Sequence, residues 1–314
     1  MRRTLFVLFL TILFLSLTSC KTTKKANSGD ATPKKYNIAL VMKTLTNPFF
    51  VTMEKGARRA EKDFDIHLVV KAGARETSIE QQIGIVEQLT MDRVDAIVIA
   101  PAGSSELVAV LKKAQDSGIK IVNIDNRLDE AESQRLGLTN VPFISVDNEE
   151  GAYLAVQYIC KDVKSATSAV IIEGIPTAGN AEDRKAGAQR AFKENPYVRI
   201  VASETANWKI DEAYEVCSKI FRQYRDVKLL FCANDMMALG AMQYLKDKNI
   251  KGVKVAGFDN LDEVKPFLAE GYMDVTIDQQ AEEQGYIGVE YAVKLLKGET
   301  VDSKLVIPVK VITP

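Results

Sequence analysis

Short apolar runs alternate with helix-period segments along nearly the whole chain, and that alternation leaves few folds open. Runs such as Ala96-Ile-Val-Ile99 and Ala169-Val-Ile-Ile172 carry no polar alternation, as strands do when both faces of a sheet are covered. Strand candidates fall at 37–42, 67–71, 95–99, 120–124, 143–146, 168–173, 198–203, 228–232, 252–256 and 273–277. Amphipathic segments at 49–63, 77–91, 104–117, 148–161, 180–194, 210–224, 235–249 and 261–270 separate most of them. Strand, helix, strand in strict succession predicts parallel sheets with right-handed crossovers, an α/β fold. The series runs twice, once over 37–124 and again over 168–256, which predicts two doubly wound lobes.

The first 35 residues stand apart from this pattern. Arg2 and Arg3 precede an apolar stretch, Leu5 to Leu17, that is short for a membrane span. Leu17-Thr-Ser-Cys20 then resembles the lipobox of bacterial lipoproteins, which implies cleavage before Cys20 and a lipid on its thiol. An uncleaved anchor helix is the alternative. Residues 21–35 are polar and aperiodic and read as a flexible tether. The protein is thus expected outside the cytoplasm, in the periplasm or at the cell surface, and held to a bacterial membrane by lipid alone.

Composition removes several functions. Lys and Arg number 41 against 42 Asp and Glu, so no strong field for nucleic acid or anionic lipid arises. The one histidine, His67, opens an apolar strand, which weakens any Ser-His-Asp, Cys-His or His-metal proposal. No GxGxxG follows the first strand, and there is no P-loop and no DxDxDG calcium loop. Neither a cofactor nor a metal is expected. Beyond Cys20, the odd set Cys160, Cys217 and Cys232 argues against a complete disulfide framework and reads as buried thiols. A bridge involving Cys160 or Cys217 stays open on sequence alone.

Polar residues collect where strands end, the edge at which an open α/β sheet holds its ligand. After the first strand come Asn47, a good N-cap, and Pro48 at the first helical position. The adjacent Phe49 and Phe50 point in different directions, so one helix face buries both only with difficulty. Asp125-Asn126-Arg127, Asn234-Asp235, Asp259-Asn260 and Asp278-Gln279 each follow a strand, Arg184 enters a helix, and Trp208 lies in a loop. Singly, these residues read as caps, turns or surface charges. Together on one edge they suit a polyol: charged groups pair with vicinal hydroxyls, amides serve as donor or acceptor, and rings cover C–H faces.

On these residues the chain resembles the periplasmic sugar-binding proteins of the ribose and galactose type, most of all their ribose-binding members. Thr46-Asn-Pro-Phe-Phe50, Asn234-Asp-Met-Met-Ala-Leu-Gly-Ala241, Val255-Ala-Gly-Phe-Asp259 and Leu295-Leu-Lys-Gly298 carry the resemblance, which covers 36–314. It implies two Rossmann-like lobes joined by a three-strand hinge, one from 36–146 plus 279–306 and the other from 147–278 plus 307–314. It also implies a monosaccharide between them, held by Asn47, Phe49, Phe50 and Asp125 from the first lobe, with Asp125 gripping two hydroxyls. Asn126 and Arg127 are candidate contacts beside it. Arg184, Trp208, Asn234, Asp259 and Gln279 would serve from the second lobe and hinge. Two positions depart from the ribose pattern: Asn126 stands where arginine follows the strand-end Asp, and Ala100-Pro101 where Asn precedes Pro.

The implied function is that of a monomeric solute receptor delivering sugar to an ABC permease. A receptor docking a chemoreceptor or sensor kinase is the alternative on the same fold. A transcriptional repressor core is disfavoured, because the N-terminus shows an export signal and no helix-turn-helix. A glycosidase pair among the carboxylates is conceivable, yet a hinge-bending binder explains the same positions at least as well.

Overall fold

The computed structural model describes residues 35–314. The expected export signal, Cys20 and nearly all of the expected tether lie outside the described residues. The first lobe comprises β1 (Asn37–Met42), α1 (Pro48–Asp63), β2 (His67–Ala72), α2 (Ile79–Met91), β3 (Ala96–Ile99), α3 (Val108–Asp116), β4 (Lys120–Ile124), α4 (Glu130–Leu136) and β5 (Phe143–Val146). The second comprises α5 (Asn148–Cys160), β6 (Thr167–Glu173), α6 (Gly179–Glu194), β7 (Val198–Thr205), α7 (Ile210–Gln223), β8 (Val227–Cys232), α8 (Asp235–Asp247) and β9 (Lys254–Ala256). A 3-10 turn (Asp262–Val264), α9 (Lys265–Ala269), β10 (Thr276–Asp278), α10 (Ala281–Leu296), β11 (Lys304–Ile307) and β12 (Lys310–Ile312) follow.

A six-stranded parallel sheet has the order β11-β5-β4-β3-β1-β2, and a four-stranded parallel sheet the order β7-β6-β8-β9. β10 and β12 pair antiparallel, and a bridge from Ala256 to Val275 ties this ribbon to the second sheet. Alternation along β1 shows why the first sheet needs cover on both sides. Ile38, Leu40 and Met42 enter one core cluster, Ala39 and Val41 the other. The chain passes between lobes after β5, after β10 and after β11.

Three local expectations required correction. The segment 261–270 is not one helix, because Pro266 can only sit near a helix start and so divides it into a 3-10 turn and the short α9. The strand expected at 273–277 begins at Thr276, and β11 and α4 had no counterpart in the apolar pattern. Cys160, Cys217 and Cys232 are buried and free, and burial pushes the Cys217 thiol up to about 12. Among the described residues, no helix is long and apolar enough to cross a membrane.

The two helices that begin just after a lobe crossing, α5 and α10, are fastened in the same way. Arg59 of α1 donates to Glu282 and Glu283 of α10 (2.6 and 3.0 Å), with its guanidinium 4.4 Å from the Tyr286 ring. Arg190 of α6 donates to Glu149 and Glu150 of α5 (both 2.8 Å) and lies 4.2 Å from the Tyr153 ring. Such half-exposed pairs contribute about 0–1 kcal/mol each, so close backbone contact must supply the rest. A Cβ on Gly56 would lie 1.8 Å from the Glu282 carbonyl oxygen, and one on Gly187 2.0 Å from that of Glu149.

Gly187→Ala should therefore force α5 and α6 apart and cost about 1–3 kcal/mol in urea unfolding. Gly84→Ala, at an exposed position of α2 with nothing near the added methyl, should instead gain about 0.5–1 kcal/mol. Equal effects of the two substitutions would contradict this reading of the helix contacts.

Candidate functional site

In the first lobe, Lys43 leaves the end of β1 and Asp125 the end of β4. Lys43 Nζ stands 2.8 Å from Asp125 Oδ2, with both side chains about 3% exposed. Asn47 caps α1, accepting from Phe49 N–H at 3.0 Å, and its Nδ2 donates to Glu76 Oε1 at 2.9 Å. Phe49 and Phe50 meet edge to face, their centroids 5.0 Å apart. Both rings are buried, although their directions were expected to make it difficult for one helix face to bury both. Phe49 lines an interlobe cavity of about 690 Å³ with Pro48, Asp259 and Gln280, whereas Phe50 turns toward Lys43 (5.8 Å).

In the second lobe, Arg184 rises from the second turn of α6. Its Nε donates to Asn148 Oδ1 (2.8 Å) and its Nη1 to the Ala233 carbonyl (2.9 Å), 3.6 Å from Asp259 Oδ1. The guanidinium lies 3.8 Å from the Phe258 ring centroid and 5.6 Å from that of Trp208. Gln279 Nε2 donates to Asp259 Oδ1 at 2.6 Å. Asn234 is buried and caps α8 through Met237 N–H (2.9 Å). Trp208 is 4% exposed, and its Nε1 donor has no partner in the protein. Asp125, Trp208 and Asp259 all have positive φ (62°, 64° and 125°), a conformation costly for residues with a Cβ and concentrated at ligand clamps.

Two of the expected contacts are placed otherwise. Asn126 has its hydrogen-bonding groups engaged by protein: Nδ2 reaches the Pro101 carbonyl (3.0 Å) and Ser104 Oγ (3.4 Å), and Oδ1 accepts from Asn180 N–H (3.2 Å). It thereby links the lobes. Arg127 is half-exposed and stands 3.8 Å from Asp183 at the rim. The positive charge beside Asp125 comes from Lys43, which sequence reasoning passed over, as it did Glu76, Asn180 and Phe258. A lysine directly after the apolar run Ile38–Met42 was the available signal. The lobes also meet directly, with Ser104 N–H donating to the Thr177 carbonyl (3.2 Å) and Gly179 N–H to Ser104 Oγ (3.1 Å).

A family profile described as a periplasmic binding protein domain matches residues 38–300. The chain belongs to the periplasmic binding protein family. It is 42% identical over 290 residues, 90% of each chain, to the D-ribose/D-allose-binding protein of Pseudomonas aeruginosa. It is 32% identical to the D-allose-binding periplasmic protein of Escherichia coli, over 81% of this chain and 83% of that one. An ABC transporter periplasmic solute-binding protein from Actinobacillus succinogenes, solved with bound D-allose, superposes with a TM-score of 0.83 at 34% identity, covering 89% of this chain and 98% of the other. Relatives and fold neighbours agree with the α/β, two-lobed architecture.

The cleft of this periplasmic binding protein is crowded with charge. Burial pushes the Asp259 carboxyl well above the ordinary range, while Arg184 and Gln279 pull it back. Burial likewise raises Glu76, offset by Lys43 and the Asn47 hydrogen bond, and lowers Arg184 against the pull of Asp259 and Asp125. Asp235, wholly buried behind Asp259, is raised to about 7 by burial, with partial offset from Leu261 N–H (2.9 Å) and Thr276 Oγ1 (2.8 Å).

An acid whose folded pKa lies above its unfolded value holds its proton more tightly in the native state. The stabilisation from Asp235 is therefore complete below the ordinary carboxylate range, about pH 4, and lost as pH rises through about 7. Urea titrations of the parent and Asp235→Asn between about pH 4 and pH 8 should show the parent losing stability relative to the variant across that window. A difference that does not change with pH would count against a buried, proton-holding Asp235.

Proposed function

We propose that this protein is the substrate-binding component of an ABC importer and that it encloses a ribose- or allose-like monosaccharide between its lobes. What supports the reading is the company the cleft groups keep: Arg184 lies 3.6 Å from Asp259 and 5.6 Å from the Trp208 ring, whose indole N–H is unpartnered, and Asp259 lines a cavity with Phe49. Carboxylates and a guanidinium pair with vicinal hydroxyls, and the rings take the C–H faces of the sugar. Asn47, Phe50, Asn234 and Gln279 complete the wall or hold these groups in place. The names of the relatives, which are binding proteins rather than enzymes, support the same class of ligand.

Binding would work by hinge bending at the three lobe crossings. A sugar shifts the equilibrium toward the closed form only through contacts it gains there, and contacts from both lobes supply that difference. Closure would then offer a permease one joint surface. The lipobox at Leu17-Thr-Ser-Cys20 supports delivery from a membrane-held position, with the protein acting as a monomer.

Isothermal calorimetry on residues 34–314 against pentoses, hexoses and inositols tests the proposal. D-allose or D-ribose should release heat without turnover, and Asp125→Ala should weaken that binding roughly 100-fold or more by removing a charged acceptor of two hydroxyls. Absence of heat from every sugar in the panel would overturn the reading. Chemical conversion of the ligand would replace it with an enzymatic one.

A further inference from the structure

Asp259 sits in a turn that its own backbone disfavours. Asp259 and Asn260 both have positive φ (125° and 56°), a conformation costly for residues with a Cβ and kept only where the surroundings impose it. Four consecutive residues of this turn are tied down. The Phe258 carbonyl accepts from Asp235 N–H (2.8 Å), and Asp259 N–H donates to the Ile277 carbonyl (2.7 Å). Asn260 N–H donates to Thr276 Oγ1 (3.2 Å), and Leu261 N–H to Asp235 Oδ2 (2.9 Å). The first two ties are backbone to backbone. The other two exist only through the side chains of Asp235, which opens α8, and Thr276, which opens β10. Those side chains are themselves joined, Thr276 Oγ1 donating to Asp235 Oδ1 at 2.8 Å, and both residues are wholly buried. The turn enters close beside them: a Cβ on Gly257 would lie 2.3 Å from Asp235 Oδ1.

A hydroxyl both donates and accepts, so Thr276 can serve Asn260 N–H and Asp235 at once, and Asp235 still has an oxygen for Leu261 N–H. We propose that Asp235 and Thr276 are positioning residues of the sugar site, a buried pair that holds the Asp259 turn in its strained form. The proposal rests on the reading of the cleft as a monosaccharide site. Loss of the Thr276 hydroxyl leaves the Asn260 N–H and one Asp235 oxygen without partners in a dry interior, and the turn relaxes to recover them. Asp259 then leaves its place 3.6 Å from Arg184 and 2.6 Å from Gln279 Nε2. The pair also reaches the hinge. Thr276 lies on β10, from whose end the chain crosses to the first lobe, so the same contacts fix Asp259 relative to that crossing.

The test separates the hydroxyl from the bulk of the side chain. The full chain and its Thr276→Val, Thr276→Ser and Ile171→Val variants are titrated calorimetrically with D-allose and D-ribose, and their melting temperatures are measured. Thr276→Val keeps the shape but not the hydroxyl and should bind sugar roughly 5- to 100-fold more weakly. Thr276→Ser restores the hydroxyl and should return affinity to within about 3-fold of the parent. Ile171→Val, a buried change on β6, should lower the melting temperature and leave affinity at the parent value, so lost stability alone does not account for lost binding. Should Thr276→Val fail to fold, as judged by circular dichroism, Asp235→Asn takes its place and should weaken binding over the same range. Parent affinity in folded Thr276→Val or Asp235→Asn overturns the assignment and leaves the sugar reading intact, as does a Thr276→Ser variant no better than Thr276→Val. A parent protein that binds neither sugar overturns both.

Discussion

The structure turns on buried charge at the carboxyl edge of each lobe. Lys43 with Asp125 on one side, and Arg184 with Asp259 on the other, sit in ion pairs almost closed to water. Desolvating such groups costs several kcal/mol per ion, and their mutual attraction offsets it only if the remaining lone pairs and protons are also satisfied. In the second pair the protein satisfies part of that demand: Asn148 and the Ala233 carbonyl hold Arg184, and Gln279 holds Asp259. On the proposed function, a neutral, hydroxyl-rich guest would complete the coordination without adding charge, whereas loss of one partner would leave an uncompensated ion and cost roughly 3–5 kcal/mol.

The proposed closure on a sugar demands rigid lobes and a connection between them that can bend. The paired arginine clamps meet the first need. α1 carries Asn47 and Phe49 at its start, and α6 carries Asn180 and Arg184. Each of these helices also grips the helix that enters its lobe from a crossing, through Arg59 on α10 and Arg190 on α5. The groups that face the cleft are thereby tied to the strands that cross between lobes, so a change at the hinge moves them as part of a body.

Much of the fold was legible in the sequence because the strands are apolar on both faces and the helices are amphipathic. Elements without that signal were missed: no residue of α4 is buried, and only Ile307 of β11 is. At the candidate site, residues that open helices or end strands stood out from their types alone. Lys43 did not, since its partner lies at the end of a distant strand. The protein partners of Asn126 were hidden for a related reason. Its neighbours in sequence suggest a ligand contact, while Pro101, Ser104 and Asn180, which claim its hydrogen bonds, come together only in the folded chain. The clamps could have been read. Glu149-Glu-Gly-Ala-Tyr153 repeats as Glu282-Glu-Gln-Gly-Tyr286, and Gly56-Ala-Arg-Arg59 as Gly187-Ala-Gln-Arg190.

A crystal structure grown with D-allose tests most directly whether the buried ion pairs form a sugar site. The account predicts one sugar between the lobes, with Asp125, Arg184 and Asp259 within hydrogen-bonding distance of its hydroxyls, about 2.6–3.2 Å, and Phe49 and Trp208 against its faces. A sugar bound on an outer surface, with those three charged groups still satisfied by protein alone, would contradict it.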